Sequence, residues 1–190
     1  MFLLRDDIND ITRILQQGGI ICYPTDTIWG IGCDATNPES VQRVAALKAL
    51  PPKSGMVCIV SDLDMLKSLT ESVHPRLETL LSFHTRPLDI LYQQVFGLAP
   101  GVYGPDGSVA IRLAQDDFTQ LLLKAVGKPL LATAACLHNE PWPPTFGAVS
   151  SAILGGVDYV VKYRQDDRLP QEPAPMARLD KHLELEFLRE

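Results

Sequence analysis

Thr25, Asp26 and Thr27 place three hydrogen-bonding side chains in succession between two apolar runs. Ile20 to Tyr23 reads as a buried strand and Ile28 to Ile31 as another short apolar run. A polar turn after a strand end is where α/β sheets put their ligand crevices, and hydroxyls beside exposed amides there suit a carboxylate or a phosphate. The same residues also close a turn on their own backbone with no ligand, so both readings stay open. Lys48 ends a predicted helix just before "PPKS". An ammonium there complements the helix dipole, with or without a second task. Arg112 closes the apolar run "SVAIRL", and a guanidinium at a strand terminus is suited to hold phosphate.

Other chemistries find little support. His74, His84, His138 and His182 are scattered, with no H-E-x-x-H spacing, so no metal site is expected. Ser150 and Ser151 fall inside a predicted helix rather than on a nucleophile elbow. Asp116 and Asp117 open a helix rather than share a proton. Gly30 and Gly32 permit close approach of a ligand or another segment but form no Walker or dinucleotide motif. Cys22, Cys33, Cys58 and Cys136 form no C-x-x-C pair, and are expected to be free buried thiols.

The elements that must position these residues alternate. Ile8, Ile11, Ile14 and Leu15 give a helical stripe over residues 7–17, closed by Gly18 and Gly19. Asn37 and Pro38 cap and start a helix with Val41, Val44, Ala45 and Leu47 on its apolar face, broken by Pro51 and Pro52. "MVCIVS" is a buried strand, and Ser61 with Asp64 resembles a capping box for a helix over 63–69. A helix is predicted over 75–83, and strands at "LDILY" and "SVAIRL". Phe118, Leu121, Leu122 and Ala125 mark a helical face stopped by Gly127. "PLLATAA" is strand-like, a helix over 145–154 buries Phe146, Val149 and Ile153, and "VDYVV" is the last strand of the main body. Residues 165–175 read as extended and proline-rich, and "ARLD" with "LELEFL" as a hairpin. This order predicts an α/β class with a mixed sheet.

At 190 residues one domain is expected, residues 1–190, with its core over about 8–163 and a proline-rich tail over about 165–190. Hydrophobic residues at 46% and charged residues at 21% fit a soluble protein. No apolar run reaches the roughly 18 residues of a membrane span. The opening "MFLLRDDIND" lacks the features of a signal peptide, so a cytoplasmic location is expected. The net charge of −6 offers no global attraction to nucleic acid, so any RNA or phosphate binding needs a local patch.

Four stretches, in order, resemble the YrdC-like family, whose best-known members are threonylcarbamoyl-AMP synthases. "GGIICYPTDTIWGIGCDATN" is similar to the family's G-G-x-x-x-Y-P-T-D/E-T-x-Y-G-L-x-x-D-A. "VQRVAALKALP" stands at I-x-x-x-K-x-R-P, "GSVAIRL" at x-x-V-A-I-R-x-P, and "GKPLLATAACLHNEPWPPTF" at P-L-x-x-T-S-A-N-x-S-G-x-P. The resemblance implies a single α/β domain: a twisted mixed sheet with helices around a deep, positively lined central cavity. It implies condensation of L-threonine, bicarbonate and ATP, brought as the Mg²⁺ complex, into threonylcarbamoyl-AMP and pyrophosphate, for modification of adenosine 37 of tRNA. Under it, Lys48 and Arg112 are the catalytic cations facing phosphate or carboxylate. Tyr23, Thr25, Thr27 and Thr133 line the threonine and nucleotide pocket, with no resident metal.

The departures from that pattern are concentrated at the chemistry. Leu50 stands where the K-x-R arginine belongs, Ala134 and Cys136 replace the serine and asparagine of S-x-N, Asp89 stands where the family has threonine, and Ala174 stands at a nucleotide-contacting serine. Each change removes a polar contact or adds a negative charge. The expectation is therefore a synthase-class protein with weakened or lost catalysis. The alternative is a non-catalytic nucleotide- or double-stranded-RNA-binding module, or a scaffold, on the same fold.

Overall fold

The computed structural model describes residues 6–189. The opening residues Phe2, Leu3 and Leu4, read above against a signal peptide, lie outside the described residues. The helices begin where short polar side chains cover free backbone amides. Asp7 accepts the Asn9 amide ahead of α1 (Ile8–Gln16), and Asn37 accepts those of Glu39 and Ser40 ahead of α2 (Pro38–Lys48). Asp62, not Ser61, caps α3 (Leu63–Leu69) through the Met65 amide, while Ser61 donates its hydroxyl proton to the Asp62 carboxylate. His74 caps α4 (Pro75–Phe83), and Asp116 caps α5 (Asp117–Val126), which Gly127 ends at φ 70°.

Two predicted helices differ in detail. In α5, Leu121 and Ala125 are exposed, while Phe118, Leu122, Leu123 and Val126 are buried. The predicted 145–154 helix is interrupted. A single 3-10 turn (Phe146–Ala148) precedes α6 (Ser151–Gly156), whose cap is Ser150. A serine side chain that accepts the Ile153 amide starts a helix rather than continuing one.

Nine strands form one mixed sheet among the described residues: β1 (Ile21–Pro24), β2 (Trp29–Gly32), β3 (Val57–Val60), β4 (Asp89–Tyr92), β5 (Val109–Leu113), β6 (Leu130–Ala134), β7 (Tyr159–Val160), β8 (Met176–Leu179) and β9 (Leu185–Arg189). Their order is β7-β1-β2-β6-β3-β5-β4-β8-β9. The first hairpin, β1–β2, encloses the Thr25–Thr27 turn, and β8–β9 is the predicted terminal hairpin. The central strands are apolar on both faces because both faces are covered. Cys22, Ile31, Cys58, Val60 and Ile111 enter the larger cluster. Ile21, Tyr23, Ile59 and Leu130 join Ile11 and Leu15 of α1 and Phe118 and Leu122 of α5 in the other. Among the described residues no helix is long and apolar enough to cross a membrane.

Candidate functional site

A cavity of about 460 Å³ opens over the sheet where side chains are small. Gly30, Ala110, Ala132 and Ala134 line it, and strand register explains their assembly. Gly30 faces Ala134, and Ala132 and Ala110 flank Val57 on either side. Side chains of this size leave open a volume that leucines would fill.

The next row of the same sheet carries charge. Ile90 pairs with Ile111 in the antiparallel β4–β5 ladder, which sets Asp89 opposite Arg112 one step on. Asp89 in turn pairs with Met176 of β8, and Met176 with Arg189 of β9. The row therefore reads Arg112, Asp89, Met176, Arg189 across four strands, and all four side chains line the cavity. Asp89 is wholly buried and divides its carboxylate between the two cations: Oδ1 accepts from Arg112 Nε at 2.6 Å, and Oδ2 accepts from Arg189 Nη2 at 2.7 Å. Arg189 spans the intervening β8 strand and also donates Nε to the Ala174 carbonyl at 2.9 Å.

The Thr25–Thr27 turn closes the other side of Arg112. Arg112 Nη1 donates to Asp26 Oδ1 at 2.7 Å and to Thr27 Oγ1 at 2.8 Å. Asp26 Oδ2 accepts the Gln115 amide at 3.1 Å. Thr25 gives its one hydroxyl proton to the Ile28 carbonyl at 2.8 Å, so in the 3.0 Å contact between the two threonine oxygens Thr27 is the donor. The two hydroxyls and the carboxylate thus serve turn and cavity together. Burial alone would lower the Arg112 pKa, but the carboxylates of Asp89 and Asp26 outweigh it and hold the guanidinium above its usual range. The charged residues that line the cavity are one carboxylate, Asp89, and two guanidiniums, Arg112 and Arg189; with Asp26, which holds Arg112 from outside the lining, the four charges cancel.

The expected site residues divide into two groups. Thr25, Thr27, Asp89, Arg112, Thr133 and Ala134 come together on the cavity wall. Lys48 is buried and is not among the lining residues; its ammonium donates to the carbonyls of Ala134 and Cys136, clamping the loop that leaves β6. Burial pulls the Lys48 pKa below the usual lysine range. Tyr23 is fully buried beneath the sheet and donates its hydroxyl to the Leu131 carbonyl at 3.1 Å. Leu50 packs against the larger core cluster, following Ala49 at φ 53°. Cys136 is half-buried, and Ala174 is buried beside a second, more apolar groove that includes Leu185 and Phe187. Cys22, Cys33 and Cys58 are buried free thiols, with burial pushing Cys22 up to about 12. Asp26 as an arginine partner and Arg189 as a cavity residue were not legible, because each acts through a strand far away in sequence.

A family model described as telomere recombination, covering the Sua5, YciO and YrdC proteins, matches residues 13–179. A threonylcarbamoyl-AMP synthase of Xanthomonas axonopodis pv. citri is 32% identical over 163 residues, 82% of this chain and 84% of the relative. One from Xanthomonas euvesicatoria pv. vesicatoria is 29% identical over 158 residues, with the same coverage of both chains. Among solved structures, E. coli YciO superposes with a TM-score of 0.79 at 21% identity, covering 96% of this chain and 88% of that one. P. abyssi Sua5 complexed with L-threonine superposes at 0.78 and 19% identity, covering 90% of this chain; the match spans half of the Sua5 chain.

Proposed function

The chain belongs to the Sua5–YciO–YrdC family, and from that premise we propose that it is a YrdC-like protein of the threonylcarbamoyl-AMP synthase class whose catalysis is strongly weakened. The class follows from the family match and the synthase relatives. The weakening rests on one observation: Asp89, a buried carboxylate on the cavity wall, already holds Arg112.

The reaction in question joins the amine of L-threonine to the carbon of bicarbonate, with a C–O bond broken and water leaving, to give the carbamate. The resulting carbamate oxygen then attacks the α-phosphorus of ATP and expels pyrophosphate. The protein's part is to align the carbamate with the α-phosphate and to neutralise the leaving group, with Mg²⁺ arriving on the nucleotide. In this chain Thr25, Thr27 and Thr133 remain on the cavity as hydroxyl contacts for threonine. The cations that would meet phosphate are spent. Arg112 faces two carboxylates, Lys48 faces two carbonyls, and Leu50 brings no guanidinium. Ala134 on the cavity wall and Cys136, two residues on and not among the lining residues, lack the hydroxyl and carboxamide of the family pattern. Loss of a single transition-state donor lowers turnover by on the order of 10²–10³. A cytoplasmic place in tRNA adenosine modification belongs to the same proposal.

The test is pyrophosphate release from Mg-ATP, with and without L-threonine and bicarbonate, beside the X. axonopodis relative. The expected rate depends on both small substrates and is at least about a hundredfold below the relative's. A rate equal to the relative's overturns the weakening. Binding of nucleotide or double-stranded RNA with no turnover at all would favour a non-catalytic module.

A further inference from the structure

Asp26 and Asp89 both hold Arg112, but they do not have the same standing. Asp26 lies within the "PTDT" turn, at a position where the family pattern itself carries an acid. It is fixed from behind by the Gln115 amide and is not among the residues lining the cavity. Asp89 stands where the family has threonine. It lines the cavity, is wholly buried, and has one carboxylate oxygen on each arginine of the row. This is the contact an incoming oxyanion would make: one acid bridging two guanidiniums. Met176, between Asp89 and Arg189 in register, contributes no competing charge.

We propose that Asp89 sets which ligands the cavity admits, its carboxylate acting as an internal substitute for a ligand oxyanion that excludes polyphosphates while leaving room for a small zwitterion. The inference rests on the synthase-class reading for the identity of the ligands, and on the cross-strand row for the effect. A polyphosphate brings several negative charges toward a cluster whose own charges already cancel, and must also displace Asp89 from both arginines. A free amino acid carries an ammonium with its carboxylate, so Asp89 repels it little. Asp89 thus governs selectivity as well as rate.

The experiment is calorimetric titration of wild type, Asp89→Asn and Asp89→Thr with two probes, inorganic pyrophosphate and L-threonine, alongside thermal melts of each protein. Removing one like charge within roughly 10 Å of a bound anion, at an effective dielectric near 20, corresponds to more than about tenfold in affinity per ligand charge. The expected result is pyrophosphate binding at least about tenfold tighter in both variants, with threonine affinity changed less than about threefold. Unchanged pyrophosphate affinity in a variant that melts cooperatively overturns the proposal. So does an equal gain for both probes, which would mean a cavity merely opened. Loss of cooperative melting in both variants also overturns it, since Asp89 would then be a structural keystone. These outcomes are separate from the turnover test: slow wild-type turnover with no pyrophosphate gain sinks this inference and leaves the weakened-synthase reading standing.

Discussion

Replacing Arg112 by methionine removes the cation at the centre of the cluster and leaves two acids facing each other. In the folded protein its side chain is 6% exposed, against 4% for Asp26 and 0% for Asp89. A pair of unit charges about 4 Å apart at an effective dielectric near 20 attracts by about 4 kcal/mol, and Arg112 makes two such pairs. Desolvation offsets much of that sum, so removal of one partner from a buried pair costs about 3–5 kcal/mol. Asp26 keeps the Gln115 amide and Asp89 keeps Arg189, which places the expected loss near the lower end, about 3–4 kcal/mol. For a domain of this size each kcal/mol moves the melting temperature by about 2–4 °C, so the variant should melt roughly 6–16 °C lower. The double variant Arg112→Met with Asp89→Thr removes one of the two facing acids as well, and Arg189, 42% exposed, can turn to water. The double should therefore recover about 2 kcal/mol relative to Arg112→Met alone, a coupling that adjacent charges commonly show. Urea unfolding of wild type, both singles and the double at pH 7 gives the cycle. A loss below about 1 kcal/mol for Arg112→Met, or a double no more stable than that single, would refute the role assigned to the cluster.

Two further outcomes follow from packing and from pH. A methyl group at Gly32 would run into the Leu131 carbonyl oxygen and the Tyr23 ring, both fixed in the core. Gly32→Ala is therefore expected to lose at least about 2 kcal/mol in denaturant unfolding, whereas Gly147→Ala, with open space around it, should change stability by less than about 1 kcal/mol. Asp158 accepts from Arg43 at 2.9 Å and from the Ile20 amide at 2.7 Å; the Arg43 hydrogen bond, with the Ile20 amide, holds its pKa below the usual carboxylate range. A depressed carboxylate contributes stability above its unfolded pKa and loses it as pH falls through the folded one. Asp158→Asn should cost no more than about 1 kcal/mol at pH 7, given a side chain 40% exposed, and that difference should shrink as pH falls below about 4 in acid melts.

Local signals carried most of the fold. The Asn37 cap with Pro38 marked the start of α2, Gly127 marked the end of α5, and the apolar runs marked the central strands, because each depends on neighbours within a few residues. The outer face of α5 was misread because a leucine at helical spacing says nothing about whether a neighbour covers it; Leu121 is 45% exposed. The interrupted 145–154 segment turns on whether Ser150 bonds forward as a cap, which apolar spacing does not reveal. At the site, the residues of the Thr25–Thr27 turn were legible as hydrogen-bonding groups. Their partner was not, since Arg112 lies 86 positions beyond Asp26. Lys48 is the plainest case. Its place at a helix end was clear, but the carbonyls it holds come from the end of β6 and the loop that follows it.

Strand β6 has a consequence for how the molecule assembles. It lies between β2 and β3, pairing antiparallel with both, and so is the only seam by which β7-β1-β2 joins β3-β5-β4-β8-β9 in the described sheet. Both neighbours precede it by many tens of residues, so docking it closes long loops before its contacts return any free energy. Folding should therefore be limited by this closure, and disruptive changes in β6 should slow refolding more than equal destabilisation in the β8–β9 hairpin. The cavity is lined from both sides of the seam, by Gly30 on one side and Ala110 and Asp89 on the other, and by Ala132 of β6 itself, so it does not exist until β6 is seated. A ligand of the cavity thus binds only the closed sheet, and should retard unfolding by holding the seam shut rather than speed its formation.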